Sequence, residues 1–450
     1  MAMEKDFTNG EILKPLVKFM LPVLAALFLQ SLYGAVDLLV VGQFSTAAEV
    51  SGVSTGAQLM MTITNMVANF AMGTTILLGQ KLGQGRKDEC GKIIGVSIFL
   101  FAIIGIALTA VTIIGAPLMA TLLKAPEEAF GATVAYIRIC GGGLIVILAY
   151  NLIGSIFRGI GDSTTPLITV AIACVVNIFG DLFLVAVCGM GAAGAAIATV
   201  AAQLVSVLAS VIVIRRRGLS FEVKMEYIAP ERQLMKKIAA LGLPLLCSAF
   251  LVDLSFLIIL AVFNGLGLEV SAGVGVAEKV CAFIMLVSIA FMQSMAAFVS
   301  QNYGAGRHDR AKKALFYGIA LSLACGVVIG AFTFFNGRLL CTIFTKEANL
   351  TAIGAEYLKA YAIDTVLTAF LFCFVGFFNG VGMTRFVMFQ GIVGAMAVRV
   401  PVSIFMSRLE PVSIFRIGLA TPISTVVQIV LCFLAMGYFR KKTAEAPKHE

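Results

Sequence analysis

The side chains with the most chemistry to offer in this 450-residue chain are acids set inside long apolar stretches: Asp37, Asp181, Asp253, Glu278 and Asp364. An ionisable group at membrane depth costs at least about 2.5–3.5 kcal/mol, so each needs a partner, water or a task. At the rise of an α-helix, Asp37 falls roughly 6 Å below the outer boundary of its stretch, Asp181 roughly 9 Å and Thr199 roughly 10 Å. Three segments thus bring oxygen ligands to a similar depth. Asn177 precedes Asp181 by one turn on the same helix face and can add an amide carbonyl. Two carboxylates with hydroxyl and amide oxygens suit a proton or a small hard cation such as Na⁺. No resident cation is evident beside them. Arg138, the nearest candidate, and its counterpart Lys359 lie near the outer boundary, where long basic side chains snorkel. Asp253, Glu278 and Asp364 differ, because Lys279 and Arg399 share their half of the bilayer. That second group reads either as substrate contacts or as a structural ion-pair network.

Other chemistry finds little support. Only His308 and His449 are available, and the ten cysteines are scattered singly without a CxxC, so no metal beyond a bound Na⁺ is expected and the thiols read as packing residues. GMGAAG at Gly189–Gly194 has dinucleotide-type spacing but sits in a short turn between apolar stretches, with no acid about 20 residues on. GVSTG at Gly52–Gly56 resembles a nucleophile elbow, yet no His is placed to activate Ser54. No GxxxxGK[ST] loop is present to cradle ATP. The chain therefore reads as no enzyme and as needing no cofactor, with any work drawn from an ion gradient.

The elements that must position these residues follow from composition. Hydrophobic residues make up 60% and charged residues 13% of the chain, against roughly 45–50% and 25% in a soluble domain. The surplus falls in stretches near 16–41, 55–79, 93–115, 132–157, 166–187, 192–214, 238–263, 272–299, 314–335, 355–379, 386–407 and 415–439, each long enough to cross a bilayer core of roughly 30 Å. Twelve transmembrane helices are predicted, and strands of an outer-membrane barrel are excluded. The formal charge of +9 is not a nucleic-acid footprint, because the Lys and Arg residues gather in every second loop. That bias predicts both termini in the cytoplasm and a multi-pass protein of the cell membrane.

The longest polar interruption, 215–237, separates a first lobe, 1–214, from a second, 238–450. The lobes repeat each other. GQKLGQGRKDECGK at Gly79–Lys92 aligns with SQNYGAGRHDRAKK at Ser300–Lys313 at an offset of 221 residues, FRGIGDST from Phe157 aligns with FNGVGMTR from Phe378, and Pro22 pairs with Pro244. Six helices per copy is an even number, so the fold class is all-α with two parallel six-helix repeats around a central cleft, a construction typical of transporters. Pro22 and Pro244 interrupt the opening span of each lobe and permit a bend, which makes Pro22 a candidate hinge on the helix that carries Asp37. Arg399 falls at the repeat position of Asn177 and Ser403 at that of Asp181, so the acid site of the first lobe is not duplicated.

With these lobes, QxxGxGR at Gln80, QxxGAGR at Gln301 and RGxGDSTTP from Arg158, the chain resembles the multidrug and toxic compound extrusion (MATE) family over nearly its whole length. AVD at Ala35–Asp37, NIFGDLF at Asn177–Phe183 and GMGAAGAAIAT ending at Thr199 are similar to its DinF-like prokaryotic branch. The resemblance implies cation-coupled export, by H⁺ or Na⁺, of small organic and often cationic compounds. It also implies a cation site at Asp37, Asn177, Asp181 and Thr199. Family members that rely on second-lobe acids place them on the helices that hold Asp253 and Asp364 here, but in surroundings that match poorly. A monomer embedded in lipid, with no nucleic-acid partner, is expected. Two other classes compete: a major-facilitator transporter, against which Gly83 replaces an expected loop acid, and a flippase for lipid-linked precursors, which commonly carries extra helices and a basic cavity.

Overall fold

The computed structural model describes the backbone of residues 5–445 and the side chains of residues 5–439; His449 lies outside them. Described residues outside loops are helical, and no strand occurs among them. The helices form two compact units, one built from residues 5–7 and 18–246, the other from 8–17 and 247 onward.

In the first unit, α1 (Leu13–Phe44), α2 (Ala47–Gly83), α3 (Lys87–Leu122), the pair α4 (Glu127–Gly142) and α5 (Leu144–Gly159), α6 (Thr164–Asp181) and α7 (Gly191–Arg217) give six crossings. The fourth crossing, read from sequence as the single stretch 132–157, is bent by 54° at Gly143. A Cβ on Gly143 would lie 2.5 Å from Val200 on α7, so only a glycine admits that neighbour. Local signals begin the helices. Thr46 accepts the Glu49 N–H at 3.3 Å to start α2, and Asp162 accepts the N–H groups of Thr164 and Thr165 at 2.9 and 3.1 Å to start α6. Glu49 reaches further and accepts the Ala192 N–H at 2.6 Å, placing a carboxylate at the positive end of α7. The core of this unit joins Val53, Phe70, Leu78, Ile93, Tyr136 and Phe157.

The second unit follows the same order with α8 (Arg232–Asn264), α9 (Leu268–Gly304), α10 (His308–Thr342), an unbroken α11 (Ala348–Gly380), an eleventh crossing made of α12 (Thr384–Ile392) and α13 (Val400–Ser407), the short α14 (Ile414–Gly418) and α15 (Ala420–Glu445). A π-helical turn joins α12 to α13 at Val393–Arg399, and another extends α6 at Leu182–Val187. The repeated loop motif has one geometry in both units: Gly85 and Gly306 each stand at φ +72°, and the following Arg86 and Arg307 donate back to Lys81 and Asn302. The first of these loops holds Lys81–Glu89 and Arg86–Glu89 ion pairs at 2.8 and 3.1 Å. Apolar side chains such as Ile114 and Phe335, 79% and 81% exposed, point outward from the crossings, as lipid contact requires.

The prolines do not interrupt their helices. α1 runs through Pro22 and α8 through Pro244. The divide between units falls between Leu246 and Cys247 inside α8. The first half of α8 belongs with α2, because a Cβ on Gly73 would meet the Gly242 backbone at 2.8 Å.

Candidate functional site

Asp37 lies on the C-terminal third of α1, buried to 6% exposure, and its Oδ2 accepts the Thr199 hydroxyl of α7 at 3.1 Å. Asn177 and Asp181, both fully buried on α6, lie beside it. The first unit therefore brings together all four residues singled out from sequence. A close helix contact explains how: a Cβ on Gly180 would stand 3.0 Å from the Ala198 Cβ, so α6 and α7 press together next to Asp181 and Thr199. Immediately after Asp181 the helix widens into its π turn, where Cys188 N–H bonds back to Phe183. Such turns re-aim side chains and recur at functional positions.

The cluster is short of donors. Asp37 Oδ1, both Asp181 oxygens and both polar atoms of the Asn177 amide have no hydrogen-bond partner among the described residues. Among the described residues no basic side chain forms an ion pair with either acid, and Arg138 is exposed. Two neighbouring carboxylates with amide and hydroxyl oxygens, buried among packed helices, can hold a proton or a small hard cation.

Residues that sequence inspection passed over extend the site. Tyr136 and Cys140 of α4 lie near Asp37. Tyr33 lies near Asp37, Gln203 and Tyr150, and Gln30 donates to the Tyr150 hydroxyl. The signal was present: Gln30, Tyr33 and Asp37 are spaced i, i+3, i+7, one polar face of an otherwise apolar helix.

Of the two readings left open for the second-lobe group, substrate contacts or a structural ion-pair network, the described residues show no ion pair within it. Asp364 on α11 is buried, and its Oδ1 accepts the Thr425 hydroxyl at 2.6 Å. Arg399, also buried, donates to Ser255 at 3.2 Å and stacks over the Phe256 ring at 4.4 Å. These two sense each other's charge without approaching to ion-pair distance. Asp253 and Glu278 are half-buried, Lys279 is exposed, and none of the three forms an ion pair with another described residue. The physical reason is local: a hydroxyl on α15 bonds the acid, and a hydroxyl and an aromatic face on α8 take up the guanidinium apart from its Nε, which stays unpartnered, so the long side chains need not meet.

Two units of matching helix order, each of six crossings, with a donor-poor acid pair buried in one, define a polytopic membrane transporter built from parallel repeats. The chain belongs to the MATE family: the sequence model described as MatE matches it twice, at residues 22–183 and 244–405. It is 26% identical to the probable multidrug resistance protein YpnP of Bacillus subtilis, over 82% of this chain and 81% of that one. It is 24% identical to the probable multidrug resistance protein NorM of Thermotoga maritima, over 91% and 88%. An outward-facing structure of a multidrug resistance MATE family transporter superposes with a TM-score of 0.91 at 19% identity, covering 98% of both chains.

Proposed function

We propose that the protein is a secondary antiporter of the cell membrane, with both termini cytoplasmic, that exports small amphipathic organic cations in exchange for H⁺ or Na⁺ bound at Asp37, Asn177, Asp181 and Thr199. The observation that carries this reading is the pairing of Asp37 and Asp181, two buried acids without a counter-cation. Such a pair favours an exchangeable cation in that place, because otherwise two negative charges face each other in a medium that screens them weakly. The names of the relatives support a drug-like substrate. The placement of basic residues in alternate loops supports the orientation.

In this reading, ion binding relaxes repulsion between α1 and α6, and Pro22 is where α1 bends as the two helices approach, since it lacks the N–H that would stiffen that turn. Ion and substrate then compete through one conformational equilibrium, and linkage makes the effect reciprocal. The test is flux of a fluorescent organic cation from proteoliposomes under separate H⁺ and Na⁺ gradients. One of the two gradients drives uphill export by the natural chain, and Asp37→Asn lowers it by about 100-fold while the folded protein remains in the membrane. Export by Asp37→Asn at the natural rate removes the acid pair from coupling.

A further inference from the structure

From Asp37 a line of polar groups, half-buried on α1 and α5 and buried on α7, continues along the first unit, away from the outer boundary. Tyr33 comes next on α1 and lies near both Gln203 of α7 and Tyr150 of α5. Gln30, one turn further along α1, donates to the Tyr150 hydroxyl. Tyr150 is in turn near Arg158, whose Nη2 donates to Ser155 at 2.8 Å at the far end of α5. On α7, Thr199 is followed by Gln203, Ser206 and Ser210 at i+4, i+7 and i+11, and the last three are all buried. The α1 leg, Asp37 to Gln30, rises about 10 Å and the α5 leg, Tyr150 to Arg158, about 12 Å. Together they span much of the bilayer from the acid pair to the loop that holds Asp162.

This line is under-satisfied in a particular way. Gln203 Oε1, Ser206 Oγ and Arg158 Nε have no protein partner although they are shielded from solvent, as are the unpartnered atoms of Asp37, Asn177 and Asp181. Orphaned polar atoms inside a protein are normally satisfied by bound water, and a site with several of them close together is polar enough to keep it. Hydroxyls and water both donate and accept, so a row of them passes a proton by successive hydrogen-bond exchange. Sodium needs several oxygen ligands at each stop, and beyond Asp37 the row has no second acid, while a guanidinium stands at its end.

The second unit keeps only part of the row. At the repeat offset, Gln30 becomes Val252, Asp37 becomes Ile259 and Tyr150 becomes Leu371, whereas Tyr33 becomes Ser255 and Gln203 and Ser206 become Thr425 and Gln428. What the first unit adds is the acid at the head of the row and the Gln30–Tyr150 link between its helices.

We propose that Tyr33, Gln30, Tyr150, Gln203 and Ser206 form a proton route from Asp37 to the inner end of the first unit, so that the coupling proton leaves through the interior of that unit. This rests on the antiport reading and names H⁺ as its ion. Each transfer is a proton moving between hydroxyl and water oxygens, with the reverse shift restoring the row, and no other bond changes. Gln30, which donates to the Tyr150 hydroxyl through its amide nitrogen, and Gln203 pass no proton and position the hydroxyls that do.

The experiment uses full-length protein in liposomes loaded with a fluorescent organic cation and an internal pH indicator, with acid imposed outside. Tyr33→Phe and Tyr150→Phe remove one oxygen each. We expect dye efflux and internal acidification to slow together by about tenfold or more in each variant, while dye affinity of the purified variants stays within about twofold of the natural chain. Retained dye binding and monodisperse elution show that these variants fold, and Ser206→Ala provides a third test with a smaller side-chain change. A natural chain that exports dye on the acid gradient, with both Tyr variants matching its rate, overturns the route and leaves the antiport reading standing. A natural chain driven by Na⁺ alone also overturns the route. No gradient-driven export by the natural chain overturns the antiport reading, and the route with it.

Discussion

The two units descend from one repeated pattern and treat buried charge in opposite ways. In the first, Asp37 and Asp181 share a pocket of oxygens with one hydroxyl donor at 3.1 Å and several atoms unpartnered. In the second, Asp364 and Arg399 each have a neutral partner of their own, and the arginine also has an aromatic face. The first arrangement leaves five polar atoms of Asp37, Asn177 and Asp181 unpartnered among the described residues, the second only Arg399 Nε. In the proposed reading, one copy of the repeat serves as the ion site and the other spends most of its polar groups on structure. The backbone follows the same division, because α4 and α5 break at Gly143 whereas the equivalent α11 is continuous through Asp364, its counterpart at the 221-residue offset.

The sharpest way to break this comparison is to remove one acid from each unit and measure both transport and stability. Asp37→Asn relieves two neighbouring acids of their repulsion, so it abolishes gradient-driven export without lowering the thermal midpoint of the solubilised protein. Asp364→Asn leaves Arg399 buried without its nearest opposite charge and costs about 1–3 kcal/mol of stability. Adding Arg399→Met to that variant recovers most of the loss, since both charges are then gone. A stable Asp364→Asn protein that cannot couple would show that the second unit carries an ion site after all.

A smaller effect comes from the packing that brings the first site together. Gly180→Val adds atoms where even a Cβ stands only 3.0 Å from Ala198. Overpacking of this kind costs about 1–3 kcal/mol and pushes α6 from α7. Asp181 and Thr199 lie next to the two contact residues, so ion affinity falls further than dye affinity does. Equal losses of both would mean that Gly180 supports the whole unit rather than the ion site.

Much of this was legible in the chain. Apolar length gave the crossings, and acids within them marked Asp37, Asn177, Asp181 and Thr199, because charge in an apolar run stands out against a uniform background. The bend at Gly143 was hidden, since a glycine among Gly141–Gly143 says nothing of Val200 on a helix about 57 residues away. That Asp253, Glu278, Asp364 and Arg399 form no ion pairs among the described residues was hidden for a related reason. Depth along a helix is readable from residue number, whereas azimuth relative to neighbouring helices is set by packing, and Thr425 and Ser255 were unmarked hydroxyls among many. Pro22 signals a missing N–H, which permits a bend without requiring one, and α1 is continuous across it.

The smallest difference between the units lies in the repeated loops. Glu89 and its counterpart Arg310, 221 residues on, occupy the first turn of α3 and α10. Glu89 bonds Lys81 and Arg86 within its own loop, while Arg310 donates to the backbone carbonyls of Asn9, Gly10 and Glu11 and so ties residues 9–11 to the second unit. The hydrogen bond from Lys81 holds the Glu89 carboxyl below its ordinary value of 4.5. A carboxyl lowered on folding stabilises the folded state above its unfolded value, and that contribution disappears as pH falls through the lowered folded-state value. Because Glu89 is more than a third exposed, solvent screening keeps the effect under about 1 kcal/mol. Glu89→Gln should therefore lower the thermal midpoint slightly at pH 7 and not at all in strong acid. Arg310→Gln removes contacts to carbonyls that do not titrate, so its cost is the same at both pH values, and it is read most directly as faster proteolysis near residues 9–11. A pH-dependent cost for Arg310→Gln, or a pH-independent one for Glu89→Gln, would mean that the two loops are held by something other than these bonds.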